Sequence, residues 1–370
     1  MRSSNNWEWK WPLSGLAVAL LLFPTTYARG CHKDTDYNPD ITKQSELDAI
    51  ASSDCTTLDR LTIWSNYTGP FNLPNITNIT MVKQFQGYDP FANAEITSMA
   101  FSDLLSVDYF VLRSFVNMSL NWRGWKSLIW RISFESLESV KKELSICNTV
   151  ECLETINPQA SMDISLPALK RVNSLNVIGT VSNLSVPELT SIAYPGVSDE
   201  APLSDWPSTL TLQLWGKRVG VVFPKLEHVE EEMVIKENIK TLSLPSLRTR
   251  GSLLGVRSDE ILDVDLPIET ADDIGFIGKI KSVNLPNLET LNAINVTSDL
   301  EFDCDALVHA LNDTAANMTV KRNYNVFCAS QGDAGQSETD DDETDGPVVI
   351  RSSIGTAVVI AAVTAPVELL

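Results

Sequence analysis

Basic charge and histidine are scarce in this 370-residue sequence: 28 Lys and Arg face 48 Asp and Glu, for a formal net charge of -20, and only three His occur. The cations are scattered among the acids, so no basic face is available to neutralise phosphates, which argues against nucleic acid as a partner. His32, His228 and His309 stand apart and no Cys-x-x-Cys spacing occurs, so the ligands of a tetrahedral Cys/His metal site are not gathered. Neither a phosphate-cradling Gly loop nor a Ser-nucleophile motif is present. Apolar runs are short as well: Leu13 to Phe23 is eleven residues and Ile354 to Val367 is fourteen, where a membrane-crossing helix needs roughly 20. No cofactor, metal or catalytic residue is therefore expected, and the chain is read as a non-enzyme.

What is present begins with an export signal. Arg2 and Lys10 precede Leu13 to Phe23, and Thr26-Tyr27-Ala28 puts small residues where signal peptidase needs them, so 1–28 reads as a signal peptide cleaved after Ala28. Export places the six cysteines in an oxidising compartment, where an even count implies disulfides. They fall into three sequence-local pairs, predicting Cys31–Cys55, Cys147–Cys152 and Cys304–Cys328. N-glycosylation sequons start at Asn66, Asn75, Asn78, Asn117, Asn183, Asn295, Asn312 and Asn317, and in an exported chain such residues are expected to face solvent.

The strongest internal signal is a repeat of an apolar residue, Pro, any residue, then Leu or Ile. It occurs at Leu73-Pro74-Asn75-Ile76, Leu166-Pro167-Ala168-Leu169, Val186-Pro187-Glu188-Leu189, Phe223-Pro224-Lys225-Leu226, Leu244-Pro245-Ser246-Leu247 and Leu285-Pro286-Asn287-Leu288, with Leu266-Pro267-Ile268 a shortened copy. The later prolines recur about every 20 residues, at the short end of the leucine-rich-repeat range. Leu166, Leu169, Val172, Leu175 and Val177 share their spacing with Leu285, Leu288, Leu291, Ile294 and Val296. Phe101, Leu104, Val107, Phe110 and Leu112 keep that spacing without the Pro, and Phe134, Leu137, Val140, Leu144 and Ile146 follow it with a one-residue slip.

Three-residue spacing followed by alternation describes a tight corner leading into a strand with one buried face. Pro cannot donate to a ladder, so it belongs at the corner. One such coil cannot bury its apolar face alone, but stacked coils can, and the 20-residue period leaves little room for helices between strands. The predicted fold is mainly β, a parallel β-solenoid of leucine-rich-repeat-like (receptor L-domain-like) kind with short helical caps closed by disulfides. The caps are expected at Cys31–Cys55, around Leu47, Ile50 and Ala51, and at Cys304–Cys328, around Ala306, Leu307, Ala310 and Leu311. The solenoid spans 29–329, with interruptions at Pro195 to Pro207 and near 147–158, the second a place where it divides into two lobes.

Residues 330–346 form an acidic Ser/Gly-rich linker, too polar to pack, that includes Glu338, Asp340, Asp341, Asp342, Glu343 and Asp345. Residues 347–370 read as a removed glycosylphosphatidylinositol (GPI) attachment propeptide, because small residues, a spacer and a terminal apolar stretch occur in that order. Asp345 and Gly346 are the candidate attachment residues, with Gly332 and Gly335 the alternative. The membrane is then a partner only through the lipid.

With signal, repeat, caps and tail in place, the chain resembles the fungal GPI-anchored cell-wall organisation proteins, which have receptor-L-domain-like repeats and include sporulation-specific members. The likeness rests on Cys31 with Ile41-Thr42, Leu47-Asp48-Ala49-Ile50 and Cys55-Thr56-Thr57-Leu58, and on Phe302-Asp303-Cys304 through Tyr324 to Cys328. Phe223-Pro224-Lys225-Leu226-Glu227 and Leu285-Pro286-Asn287-Leu288-Glu289-Thr290 are similar to the internal repeats. The resemblance covers roughly 31–328. It implies a role in wall assembly or surface integrity at the outer plasma membrane or wall, partners among wall polysaccharides or wall proteins, and no catalytic residue to transfer.

Two rival readings have named residues. A solenoid hosts carbohydrate hydrolysis when two carboxyls face each other about 5–10 Å apart. Asp263 and Asp265 share a face, and Asp272-Asp273 are expected to approach from the next coil; solvated surface acids are the simpler account. Trp122, Trp125 and Trp130 offer sugar-binding platforms for a receptor or adhesin that binds a wall glycan or a soluble ligand, against plain core packing. The repeat itself makes a quantitative prediction. Leu288→Ala should lower unfolding free energy by about 2–5 kcal/mol in urea denaturation, as loss of a buried leucine does; a loss below about 0.5 kcal/mol, the range of surface sites, would place Leu288 outside the core.

Overall fold

The computed structural model describes residues 40–53, 55–64, 67–85, 95–113, 129–148, 161–193, 207–250, 253–316, 325–330 and 348–351. The chain runs β1 (Asp40–Ile41), α1 (Gln44–Ala51), β2 (Thr57–Trp64), β3 (Thr68–Asn72), β4 (Asn78–Phe85), β5 (Glu95–Ala100), β6 (Ser106–Arg113), β7 (Ile129–Ser133) and β8 (Ser139–Cys147). It continues with β9 (Ser161–Ser165), β10 (Arg171–Ser185), β11 (Ser191–Ile192), β12 (Thr209–Val222), β13 (His228–Val229), β14 (Glu232–Ser243) and β15 (Thr249–Arg250). The last elements are β16 (Leu253–Asp265), β17 (Asp273–Asn284), β18 (Ala293–Ser298), α2 (Cys304–Ala316), β19 (Asn325–Ser330) and β20 (Val348–Arg351).

One coil explains the repeat. At Leu166-Pro167-Ala168-Leu169 the Leu169 amide donates to the Leu166 carbonyl at 3.3 Å, closing a β-turn with Pro167 at its second position. That position favours the fixed φ of proline and asks for no amide hydrogen. The same turn closes from Leu189 to Val186, Leu226 to Phe223, Leu247 to Leu244 and Leu288 to Leu285. Beyond the turn, β10 lays Val172, Leu175 and Val177 inward before bending into a second face that ends at Ser185. Leu169, Val172, Leu175, Leu226, Leu247, Leu288 and Leu291 are all buried, as the spacing requires.

Coils stack in parallel throughout, with every described strand pair parallel. The main face passes from β2 through β4, β6, β8, β10, β12, β14, β16, β17 and β18 to β19 and β20. A second face begins with β3, β5, β7, β9 and the end of β10. Along the corner, backbone amides link coil to coil without a break, from Thr77 to Thr56, Leu105 to Thr77, Glu138 to Leu105, Lys170 to Glu138 and on to Glu289 bonding Glu269. The one-residue slip at Phe134 to Ile146 is a bulge: β8 has one residue more than either neighbour between the rungs at Val140 and Glu143. Where two lobes are expected to part, near 147–158, β8 and β10 are directly paired, and one apolar core runs from Ile41 to Cys328.

Helices lie at both ends of this core. In α1 the Glu46 carboxylate accepts the Thr42 amide at 2.6 Å and the Lys43 amide at 3.3 Å, satisfying donors the helix start leaves open, while Leu47 and Ile50 are buried. In α2 Leu307 and Leu311 are buried, but Ala306 and Ala310 are exposed. Of the four residues named for this cap the two leucines form the buried stripe, and the small alanines, which need no cover, lie outside it. Cys304 is bonded to Cys328 on β19, as the sequence pairing anticipates.

Between the main and second faces the chain turns inward-pointing small polar groups against its own backbone. Ser298 Oγ donates to the Ile280 carbonyl at 2.6 Å and accepts the Leu300 amide, Ser330 Oγ accepts the Phe302 amide, and Ser258, Ser298 and Ser330 are all buried. Gly278 lies in this row between Ser258 and Ser298 at φ 100°, where a Cβ would overlap the Ser258 carbonyl. Gly278→Ala should therefore cost about 3 kcal/mol or more in chemical denaturation. Gly275→Ala, three residues away with ordinary clearance, should stay within about 1 kcal/mol of the native chain. Equal effects would contradict this corner.

Candidate functional site

The carboxylates singled out for hydrolysis are not brought together. Asp263 and Asp265 are exposed on the second face, where Asp263 accepts Ser282 Oγ at 2.7 Å and Asp265 accepts Asn284 Nδ2 at 2.9 Å. Asp273 stands across the sheet, at the opposite end of the main face beside Leu253 and Ala293, and accepts Asn292 Nδ2 at 3.2 Å. The expected approach of Asp272-Asp273 is thus corrected: adjacent coils align residues of equal position, and these acids occupy different positions along the coil. Ser282, with Lys281 nearby, holds the Asp263 carboxyl below the usual carboxylate range. Among the described residues no three His, Cys, Asp or Glu gather as metal ligands.

Trp122 and Trp125 lie outside the described residues, and Trp130 is on β7, paired through its backbone with Met162. Cys55 and Cys147 are disulfide-bonded, whereas their expected partners Cys31 and Cys152 lie outside the described residues. So do the signal 1–28, the sequon residues Asn66, Asn117 and Asn317, the attachment candidates Gly332, Gly335, Asp345 and Gly346, and the terminal stretch Ile354 to Val367. The segment expected to be removed includes β20, which pairs with β19.

The described sequons differ in their surroundings. Asn75, Asn78, Asn183 and Asn312 are exposed. Asn75, at φ 67°, gives Nδ2 to the Ala51 carbonyl at 3.1 Å, Asn78 gives its Nδ2 to Thr77 Oγ1 at 2.9 Å, and Asn183 gives its Nδ2 to Asp163 at 2.9 Å. Asn295 is half-buried on the outer side of β18, between Gly275 and Phe327 in the ladder. It borders an open trough of about 300 Å³ lined by Leu253, Asp273, Gly275, Ala293, Asn325 and Phe327. Sequence reading missed this trough. Its only advance signal is the outward placement of Gly255 and Gly275 on strands next to a sequon.

Elsewhere the outside is charged and paired across coils: Lys170 reaches Glu138 at 3.1 Å, Lys225 reaches Glu188 at 2.6 Å and Lys141 reaches Asp108 at 2.8 Å. Such exposed pairs contribute about 0–1 kcal/mol each, so they match neighbouring coils more than they hold them. The geometry defines a parallel-stranded protein with an apolar interior and its polar chemistry on the outside. Comparison with protein-family models, with curated proteins and with solved structures finds no match to this chain.

The lowered Asp263 value has a testable sign. A carboxyl whose folded pKa is depressed adds stability above its unfolded value, near 3.9, and that stability is lost as pH falls through the folded value. Carboxyl NMR titration should give Asp263 a midpoint below about 3.9, and Ser282→Ala should raise it; an unmoved midpoint would remove the Ser282 hydrogen bond as the cause.

Proposed function

We propose that this chain is a non-catalytic, N-glycosylated protein of the fungal cell surface, held on the outer plasma membrane by a GPI lipid or transferred to the wall, where it contributes to cell-wall organisation and integrity. The observation that carries the reading is the segregation of side chains. Apolar residues fill the inside of the coils, while Asn75, Asn78, Asn183, Asn295 and Asn312 all lie on the outside. A chain read as exported thereby has its glycan acceptors where sugars fit without disturbing the core. The Cys304–Cys328 disulfide fits an oxidising compartment.

In finer detail the solenoid is read as leucine-rich-repeat-like, of the receptor L-domain kind, with α1 and α2 as end caps closed by disulfides. Caps meet a physical need, since the terminal coils of a stack would otherwise expose apolar core and unpaired strand edges. Attachment at Gly346 would remove β20 with the propeptide and leave β19, held to α2 through Cys328, as the last strand. The partners proposed are wall polysaccharide or wall proteins, met by the outer faces.

Phosphatidylinositol-specific phospholipase should move the protein from the detergent phase to the aqueous phase, and glucanase should release any wall-linked fraction. Recovery of a peptide containing Ile354 to Leu370 from the mature protein would show that the tail is never exchanged for lipid.

A further inference from the structure

Two glycines on the outer main face have no backbone reason to be glycine. Gly255 and Gly275 are paired neighbours in the ladder row Val234, Gly255, Gly275, Asn295, Phe327. Neither has a positive φ. A Cβ on Gly255 would meet nothing nearer than Val234 Cγ2 at 3.8 Å, and one on Gly275 nothing nearer than the Leu254 carbonyl at 3.8 Å. Glycine inside a strand weakens it, whereas β-branched residues suit such positions. What the two glycines do is keep a strip of sheet bare directly beside Asn295.

Asn295 also differs from Asn75, Asn78 and Asn183. Its Oδ1 accepts Thr297 Oγ1 at 3.3 Å, and among the described residues its Nδ2 has no hydrogen-bond partner. The Nδ2 groups of Asn75, Asn78 and Asn183 are all engaged. The trough beside Asn295 is almost wholly carbon-lined and has Phe327 as one wall and Leu253 as another. A sugar ring presents C–H groups on its faces and hydroxyls at its rim, so it covers such a floor while keeping its polar groups in water, and an aromatic wall is the surface its C–H face prefers.

We propose that this trough seats the core of an N-linked glycan on Asn295, so that the first N-acetylglucosamine rings lie over Gly275 and against Phe327 instead of projecting into solvent. The inference rests on the reading of the chain as an exported glycoprotein. It adds that one glycan is part of the folded surface, covering apolar sheet that the described residues leave open.

The test uses the full chain secreted from a eukaryotic host with high-mannose glycans, digested in its native state with an endoglycosidase that cuts within the chitobiose core, and followed site by site by glycopeptide mass spectrometry. Asn295 should be occupied and cleaved about tenfold more slowly than Asn183, the factor one aromatic contact of about 1.4 kcal/mol gives. Gly275→Val, which fills the trough, and Phe327→Ser, which removes its wall, should each bring Asn295 to the Asn183 rate while leaving Asn183 unchanged. An unoccupied Asn295 on a chain glycosylated elsewhere overturns the inference alone, as does an Asn295 glycan cleaved as fast as that on Asn183. A chain with no glycan at any sequon overturns both this inference and the export reading beneath it.

Discussion

Coil-to-coil register is the constraint on which the rest of this molecule depends. No single coil can bury its own apolar side chains, so each one's stability comes from lying in register on the coils before and after it. The row of corner hydrogen bonds from Thr56 to Glu289 fixes that register at one place per coil. The spacing between corners is free to vary: Leu266 to Leu285 is 19 residues and Val186 to Phe223 is 37. Extra residues fall between the paired segments, and lengthening such a connection costs little entropy, about 0.6 kcal/mol per doubling.

The same constraint divides the labour between inside and outside. Inward positions are held to apolar residues that match their neighbours above and below, including Phe101 and Phe134, whose rings stack 5.2 Å apart in adjacent coils with Phe110 edge-on to both. At the corner between faces Ser258, Ser298 and Ser330 are tolerated inside because each side chain is small and its hydroxyl bonds the backbone. Outward positions carry no such demand. They are where acids, sequons and cross-coil ion pairs collect.

Much of this is legible in the sequence. The Leu-Pro-x-Leu spacing marked the corners because proline and the buried leucines each have one physical reason to recur, and Leu169, Leu226 and Leu247 are buried as that reason demands. The irregular copy at Phe134 was visible as a slip, though only strand pairing shows it as a bulge in β8. Of the residues named for the α2 cap only Leu307 and Leu311 are buried, because an alanine in a helix sits as well outside as inside. Asp272-Asp273 were misplaced relative to Asp263 because nearness in sequence says little about position along a coil.

Sequence alone determined the period and the inward residues, since each is a local pattern repeated often enough to identify itself, and the grouping of the cysteines into sequence-local pairs pointed to Cys304–Cys328. Only tertiary structure decided which outward residues become neighbours. Gly255, Gly275, Asn295 and Phe327 are spread over 73 residues of chain yet form consecutive rungs of one row. Gly255, Gly275 and Asn295 keep the 20-residue period of the corners, but Phe327 follows Asn295 by 32 residues with α2 looped out between β18 and β19, and a connection that lies outside the ladder leaves no period from which its length can be read.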